Sequence, residues 1–216
     1  MTNNPEFDLF IERAHELLQA GYAALTAKDW EMNKEPEISG ELTAEIRKLV
    51  DDAKRRKPWM RDWTPINDEP EDEPDKPKGK RRLGNCRVRP DIKLKFAGGR
   101  ETIYFRFEAK RLKGTGDYRD LLSEDGLDRF LRSAYARKDL AGGLVGYVQT
   151  ETCQIHAARV ASALSNDSTN RYKTAKTGKW QKVIWKNGPE HSFRTSHTRG
   201  NKGGDILIFF TFLQFR

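Results

Sequence analysis

Apolar residues recur every three or four positions in two stretches near the start of the chain. The first stretch runs from Phe7 to Leu25 and the second from Ile38 to Val50. This spacing is typical of amphipathic helices, which bury one side against a core and leave the other in water. The chain is therefore predicted to open with two such helices.

Strand-like patterns dominate the rest of the chain. The stretches Cys86 to Phe96 and Thr102 to Leu112 are rich in strand-forming residues, and Gly98 and Gly99 between them are typical of a hairpin turn. Further strands are predicted at Gly142 to Thr150, Val183 to Trp185, Phe193 to Thr198 and Ile206 to Phe215, with helical patterns over Tyr118 to Lys138 and Cys153 to Leu164. This order predicts an α/β fold, a mixed sheet flanked by helices.

One long stretch, from Lys57 to Arg82, is acidic and interrupted by prolines, and has almost no apolar residue after Trp63. Such a composition predicts a loop or a disordered linker. We therefore expect N-terminal helices over residues 1–56, a linker over 57–84 and a core over 85–216, with the helices and the core in one domain. The basic end of the linker, which includes Arg81 and Arg82, is predicted to follow a phosphate backbone, with a solvated insertion as the alternative.

Charge and cysteine content narrow the function classes. The 216 residues include 40 Lys and Arg against 32 Asp and Glu, and this net charge of +8 favours an anionic partner such as nucleic acid. The two cysteines, Cys86 and Cys153, have no metal-ligand spacing, which argues against a disulfide framework and a zinc site. Neither a secretory signal nor a membrane span is predicted, so we expect a cytoplasmic protein without membrane contact.

Three charged residues in the predicted hairpin suggest chemistry. Asp91 lies in one strand, and Glu108 and Lys110 lie two residues apart in the other, so the last two share a face. A carboxylate pair on neighbouring strands suits a hard divalent cation such as Mg²⁺, and a lysine on the same face can hydrogen-bond the attacking water or stabilise charge on a phosphate. The alternative is that Asp91 caps a turn and that Glu108 and Lys110 are surface charges.

This arrangement resembles the PD-(D/E)xK phosphodiesterase superfamily, whose fold is also called restriction-endonuclease-like. Pro90 and Asp91 match the first half of its motif, and Glu108, Ala109 and Lys110 match the second half, with sixteen residues between Asp91 and Glu108. The resemblance covers roughly Ile38 to Tyr147. It implies a core of helix, three-stranded meander, helix and further strand, to which the C-terminal strands would be additions.

The resemblance also implies an activity, hydrolysis of DNA by a nuclease that uses Mg²⁺ or Mn²⁺, with Asp91, Glu108 and Lys110 as catalytic residues. Members of the superfamily often add an acid from the helix before the hairpin. Here Glu41 is the favoured third metal ligand, ahead of Glu37 and Glu45, and the alternative is that all three are solvated. RNA stays open as a substrate, as does a role in bacterial or phage defence or in repair.

Basic residues outside the motif are candidates for nucleic-acid contacts. Arg129 and Arg132 lie in the helical stretch after the hairpin, and His197 and Arg199 lie at the late strands. Solvated or structural roles are the alternatives for all four. The main alternative function is a catalytically inactive subunit of the same fold that binds nucleic acid or a protein partner in a defence or repair complex. A homodimer is also left open.

Overall fold

The structure is a computed structural model that describes residues 4–25, 33–52, 54, 56–67, 89–99, 101–132, 139–176, 178–199 and 204–215. Its helices are α1 (Pro5–Ala24), α2 (Glu35–Asp51), α3 (Tyr118–Leu121), α4 (Leu127–Leu131) and α5 (Cys153–Ser165). Its strands are β1 (Trp63–Asn67), β2 (Ile92–Phe96), β3 (Ile103–Leu112), β4 (Ala141–Val148), β5 (Gln181–Val183), β6 (Ser192–Thr198) and β7 (Asp205–Gln214). The predicted α/β class, a mixed sheet flanked by helices, is confirmed.

All seven strands belong to one sheet, in the order β1-β2-β3-β4-β7-β6-β5. Strands β1, β2 and β3 form an antiparallel meander, β3, β4 and β7 run parallel, and β6 and β5 complete the sheet in antiparallel pairing. The sheet is therefore larger than the predicted meander with one further strand. The C-terminal strands extend this same sheet.

The linker prediction is wrong over its first part. Residues Pro58–Asp62 form a 3₁₀ helix, and strand β1 follows directly and pairs with β2 at the edge of the sheet. Trp63 drives this packing, since its ring is 3% exposed and stacks on Phe10 with 5.3 Å between centroids. Pro65 concealed the strand in the sequence, although an edge strand tolerates proline. The rest of the predicted linker, residues 68–84, lies outside the described residues.

The stretch Tyr118 to Lys138, predicted as one helix or as two helices joined by a turn, forms two helices. These are the short helices α3 and α4, and residues 133–138 lie outside the described part of the chain. The two N-terminal helices, α5 and the strands β3, β4, β6 and β7 are confirmed close to their predicted bounds. The first hairpin strand, predicted from Cys86, begins at Ile92 as β2, so Asp91 lies directly before the strand and not within it. Strand β5 ends at Val183, where the sequence predicted it to begin.

Two hydrophobic clusters cover the two faces of the sheet. The first contains α1 and α2, and the second contains α3, α4 and α5. Along β3, Phe105 and Phe107 point into the first cluster, so the alternation of a strand directs Arg106, Glu108 and Lys110 toward the side of α3 to α5. The charged residues of β3 therefore share a face with α4.

One glycine determines how closely α4 approaches the sheet. A Cβ atom at Gly142 in β4 would lie 2.3 Å from the ring of Phe130 in α4, so only glycine allows this contact. Leu127, Phe130 and Leu131 are all buried in the second cluster and hold α4 in place. Among the described helices, none has the length and apolar composition needed to cross a membrane.

Candidate active site

Pairing of the hairpin strands brings Asp91 and Glu108 together. Ile92 pairs with Phe107 in the antiparallel register, so the preceding Asp91 lies across from Glu108. The backbone N–H of Ala109 donates a hydrogen bond of 2.7 Å to Oδ2 of Asp91, which ties the two strands at this point. Glu108 is 1% exposed, so one carboxylate of the pair lies inside the protein.

Lys110 completes the group predicted from the motif. Its Nζ donates to Oε1 of Glu108 at 2.7 Å and to Oε1 of Glu35 at 3.2 Å. Burial alone would lower the pKa of Lys110, but the charges of Glu108 and Glu35 outweigh burial and raise the pKa above its ordinary value. Lys110 is therefore a cation at neutral pH, which favours hydrogen-bond donation and charge stabilisation over a role as a base.

The acid of α2 that contacts Lys110 is Glu35, which the sequence analysis did not select, and the choice of Glu41 as a metal ligand stays a prediction. Glu41 is exposed on the helix and its charge acts on Lys48. Glu37 accepts the backbone N–H of Lys34 in the cap of the helix, and Glu45 pairs with Lys48 at 2.6 Å. We call Glu35, Asp91 and Glu108 the acidic cluster.

Several hydrogen bonds hold the start of α2 against the ends of β3 and β4. The backbone N–H of Arg111 donates to Oε2 of Glu35 at 3.0 Å, and the Arg111 guanidinium donates to the carbonyl of Asn33 at 3.2 Å. Deeper in the protein, the hydroxyls of Ser39 in α2 and Tyr147 in β4 are 2.8 Å apart and both residues are fully or nearly fully buried. Glu35 is thus positioned by the fold and does not reach Lys110 through a flexible segment.

Burial and electrostatic crowding raise the pKa of one member of the acidic cluster, Asp91. Burial is the largest cause that raises the pKa of Asp91, the charge of Glu108 adds to it and that of Glu35 contributes further, and the result is a pKa of about 7. The hydrogen bond from Ala109 and the charge of Lys110 lower this pKa but do not cancel the rise. A divalent ion beside these oxygens would relieve this repulsion and would find the carboxylate ligands that Mg²⁺ prefers.

The carboxylate of Glu108 already has a second cationic partner. Nη1 of Arg129, from α4, lies 3.0 Å from each of the two oxygens of Glu108. Among the described residues, no group of three or more His, Cys, Asp or Glu side chains stands close enough to hold a metal ion without rearrangement. Carboxylate oxygens are suitable ligands for a hard cation, but in this structure Lys110 and Arg129 both contact the carboxylate of Glu108.

The other predicted nucleic-acid contacts have different outcomes. Arg132 lies on the surface, 3.3 Å from Asp128 and 3.7 Å from Glu124. Arg81 and Arg82 lie outside the described residues. His197 and Arg199 are both buried, so the structure gives no support to their predicted DNA contacts, which stay predictions.

His197 is fully buried between two hydrogen-bond partners, the carbonyl of Tyr172 at 2.8 Å and the hydroxyl of Thr195. Burial lowers the pKa of its ring to about 4, so the ring is neutral. Arg199 is 5% exposed; burial lowers the pKa of its guanidinium, and the charge of Asp139 opposes that shift. Both residues have structural roles within the late strands.

Comparison with protein-family models, with curated proteins and with solved structures gives no match.

Proposed function

We propose that the protein is a divalent-metal-dependent nuclease that hydrolyses phosphodiester bonds in DNA. The observation that carries the proposal is the convergence of Asp91, Glu108 and Lys110 at the end of one hairpin, with Glu35 added from α2. Glu35 is distant in the sequence from the three hairpin residues, yet all four share one partly buried polar site. A purely structural set of surface charges would not need burial of Glu108 or a raised pKa at Asp91.

The order of elements also supports the proposal. Helix α2 precedes the meander of β1, β2 and β3, the helices α3 and α4 follow, and β4 then pairs in parallel with β3. The PD-(D/E)xK resemblance implies the same succession of helix, three-stranded meander, helix and strand. The two halves of the motif lie on β3 and directly before β2, the strands that the resemblance requires.

Each residue has a distinct role in the proposed reaction. Asp91 and Glu108 would bind Mg²⁺ or Mn²⁺, an ion that supplies a Lewis acid to activate water and to offset phosphate charge. Lys110 would donate hydrogen bonds to the attacking water or to the phosphate as negative charge develops. Glu35 orients Lys110 through the 3.2 Å contact and adds negative charge near the ion. Asp91 must lose its proton before it binds the ion, so metal affinity should rise as the pH increases toward about 7.

DNA contacts are proposed for Arg129 and Arg132 at the same face of the sheet. Arginine binds phosphate through a planar fork of donors and keeps its charge at all relevant pH values. Arg132 is 55% exposed as a side chain and Arg129 is 25% exposed, so both can be approached from solvent. Arg129 contacts Glu108 of the acidic cluster directly, whereas the ion pairs described for Arg132 are with Glu124 and Asp128.

An inactive subunit that binds nucleic acid or a partner protein is the second candidate. The observation that favours it is the pairing of Glu108 with both Lys110 and Arg129, which leaves this acid neutralised without a metal ion. Such pairing would be sufficient in a protein that binds and does not cleave.

Cleavage of supercoiled plasmid DNA tests the proposal. We expect nicked or degraded DNA with Mg²⁺ or Mn²⁺, none with EDTA, and binding without efficient cleavage in Ca²⁺. Asp91→Asn and Glu108→Gln should abolish cleavage, and Lys110→Met should reduce its rate by about 10²–10⁴-fold. Glu45→Gln, which removes a surface ion pair on α2, is the matched control and should cleave normally. Cleavage that persists in EDTA, or that survives Asp91→Asn, would contradict the proposal.

A further inference from the structure

The guanidinium of Arg129 bridges the buried part of the candidate site and the surface. Nη1 lies 3.0 Å from both oxygens of Glu108, whose side chain is 2% exposed. Nη2 lies 3.0 Å from Oδ1 of Asp125, whose side chain is 77% exposed. Arg129 therefore joins the buried carboxylate of Glu108 to the solvent-exposed carboxylate of Asp125.

The backbone of Arg129 is fixed, so a change of its contacts requires only a side-chain movement. Its neighbours Leu127, Phe130 and Leu131 are buried in the second hydrophobic cluster, and Phe130 packs directly over Gly142. An arginine side chain has enough rotatable bonds to leave Glu108 while α4 stays in place.

Arg129 and a divalent ion would compete for the same oxygen atoms. Lys110 contacts Oε1 of Glu108, whereas Arg129 contacts Oε1 and Oε2 together. An ion that binds Oε2 must displace the guanidinium, because two cations cannot occupy the same position beside one oxygen. The contact of Lys110 with Oε1 does not conflict with such an ion.

We propose that Arg129 is an internal counter-cation that a divalent ion displaces from Glu108, and that the displaced guanidinium then binds a phosphate of the nucleic acid. This inference rests on the proposed nuclease function. Without metal, Arg129 satisfies the charge of a buried carboxylate, which is costly to leave unpaired. With metal, Glu108 has a new partner, and the charge of Arg129 becomes available to the substrate. Metal binding and DNA binding are thereby coupled through one side chain.

Titration of the DNA-free protein with Mn²⁺ by calorimetry tests the displacement. We expect Arg129→Gln to bind Mn²⁺ about tenfold more tightly than the parent protein, because the ion no longer has to break a charge-assisted contact. Arg129→Lys keeps the charge, but its single Nζ cannot contact Glu108 and Asp125 together as Nη1 and Nη2 do, so its Mn²⁺ affinity should lie between those of the parent and Arg129→Gln. Arg159→Gln is the matched control, since Arg159 of α5 is similarly exposed and pairs with Glu151, and it should leave Mn²⁺ affinity unchanged.

The second measurement is the affinity for a DNA duplex in EDTA and in Ca²⁺. The parent protein should bind DNA more tightly in Ca²⁺, and Arg129→Gln should lose at least half of that gain. Melting curves in EDTA establish that Arg129→Gln is folded; if it is not, Arg129→Lys carries the test. Equal or weaker Mn²⁺ affinity in the folded variant would overturn the inference.

The outcomes separate this inference from the proposed function. If the parent and Arg129→Gln bind Mn²⁺ equally and Asp91→Asn abolishes that binding, the metal site stands and the displacement of Arg129 is wrong. If neither the parent nor Arg129→Gln binds Mn²⁺, the proposed metal-dependent function fails and the inference fails with it.

Discussion

Replacement of Asp91 by Asn should stabilise the metal-free protein at neutral and alkaline pH. The pKa of Asp91 is about 7 in the folded protein, chiefly because of burial and the charge of Glu108, against 3.8 for the ordinary group. When the pKa of a carboxyl is higher in the folded protein than in the unfolded chain, the free energy of unfolding falls as the pH rises. The reason is that the carboxyl ionises at a lower pH in the unfolded chain. The loss begins near pH 4 and is complete a little above pH 7. Asparagine carries no charge and can still accept the hydrogen bond from Ala109.

The magnitude follows from the size of the shift. A rise of about 3 pKa units corresponds to about 4 kcal/mol at about 1.4 kcal/mol per unit. Since the side chain of Asp91 keeps partial contact with solvent, we expect about half of this, near 2 kcal/mol. For a chain of this length, such a change corresponds to a rise of about 4–8 °C in melting temperature at pH 8. At pH 4 the two proteins should melt at nearly the same temperature.

The assay is thermal unfolding of the parent and of Asp91→Asn in EDTA across this pH range, repeated with Mg²⁺. Other titrating groups act in both proteins, so the difference between them reports on Asp91. Mg²⁺ should stabilise the parent at pH 8 and have little effect on the variant, because a ligand that binds only the folded state stabilises it. A variant that melts below the parent at pH 8 in EDTA, or a difference that does not change with pH, would refute the reasoning.

Two further predictions compare the roles suggested by the sequence with those suggested by the structure. Glu35→Gln should reduce the cleavage rate by about 10–100-fold because Lys110 loses a partner that orients it, whereas Glu41→Gln should cleave like the parent; equal rates for the two variants would contradict the assignment of Glu35. His197→Ala should destabilise the fold by about 2–4 kcal/mol in urea unfolding, since it leaves a buried cavity and the carbonyl of Tyr172 without its partner, and should leave the DNA affinity of the folded protein unchanged. A stable His197→Ala variant with weakened DNA binding would support the role predicted from sequence.

The sequence predicted the elements that have a strong periodic pattern. Helix α2 and strand β7 carry long apolar repeats, and the glycines after Phe96 marked the turn between β2 and β3. The motif residues Asp91, Glu108 and Lys110 came together because the register of one local hairpin determines their relation. These features were predictable because each depends on residues that are close together in the sequence.

Features that depend on tertiary packing were missed. Glu35 lies before the apolar stripe of α2, and nothing in its sequence context shows that the start of this helix meets the end of β3. Its position before Pro36 at the helix start was the available signal, since acids are favoured there. His197 was a candidate because it is a polar residue at the late strands, but its ring is buried and contacts the carbonyl of Tyr172, which is distant in the sequence.

The position of a bound metal ion tests the central claim most directly. Crystals grown with Mn²⁺ should give an anomalous difference peak within about 2.5 Å of carboxylate oxygens of both Asp91 and Glu108, as expected for a hard cation on oxygen ligands. Lys110 should remain within hydrogen-bonding distance of Glu108 in the same crystals. A fully loaded crystal with no peak at these two carboxylates, or with Mn²⁺ only at unrelated surface acids, would contradict the account.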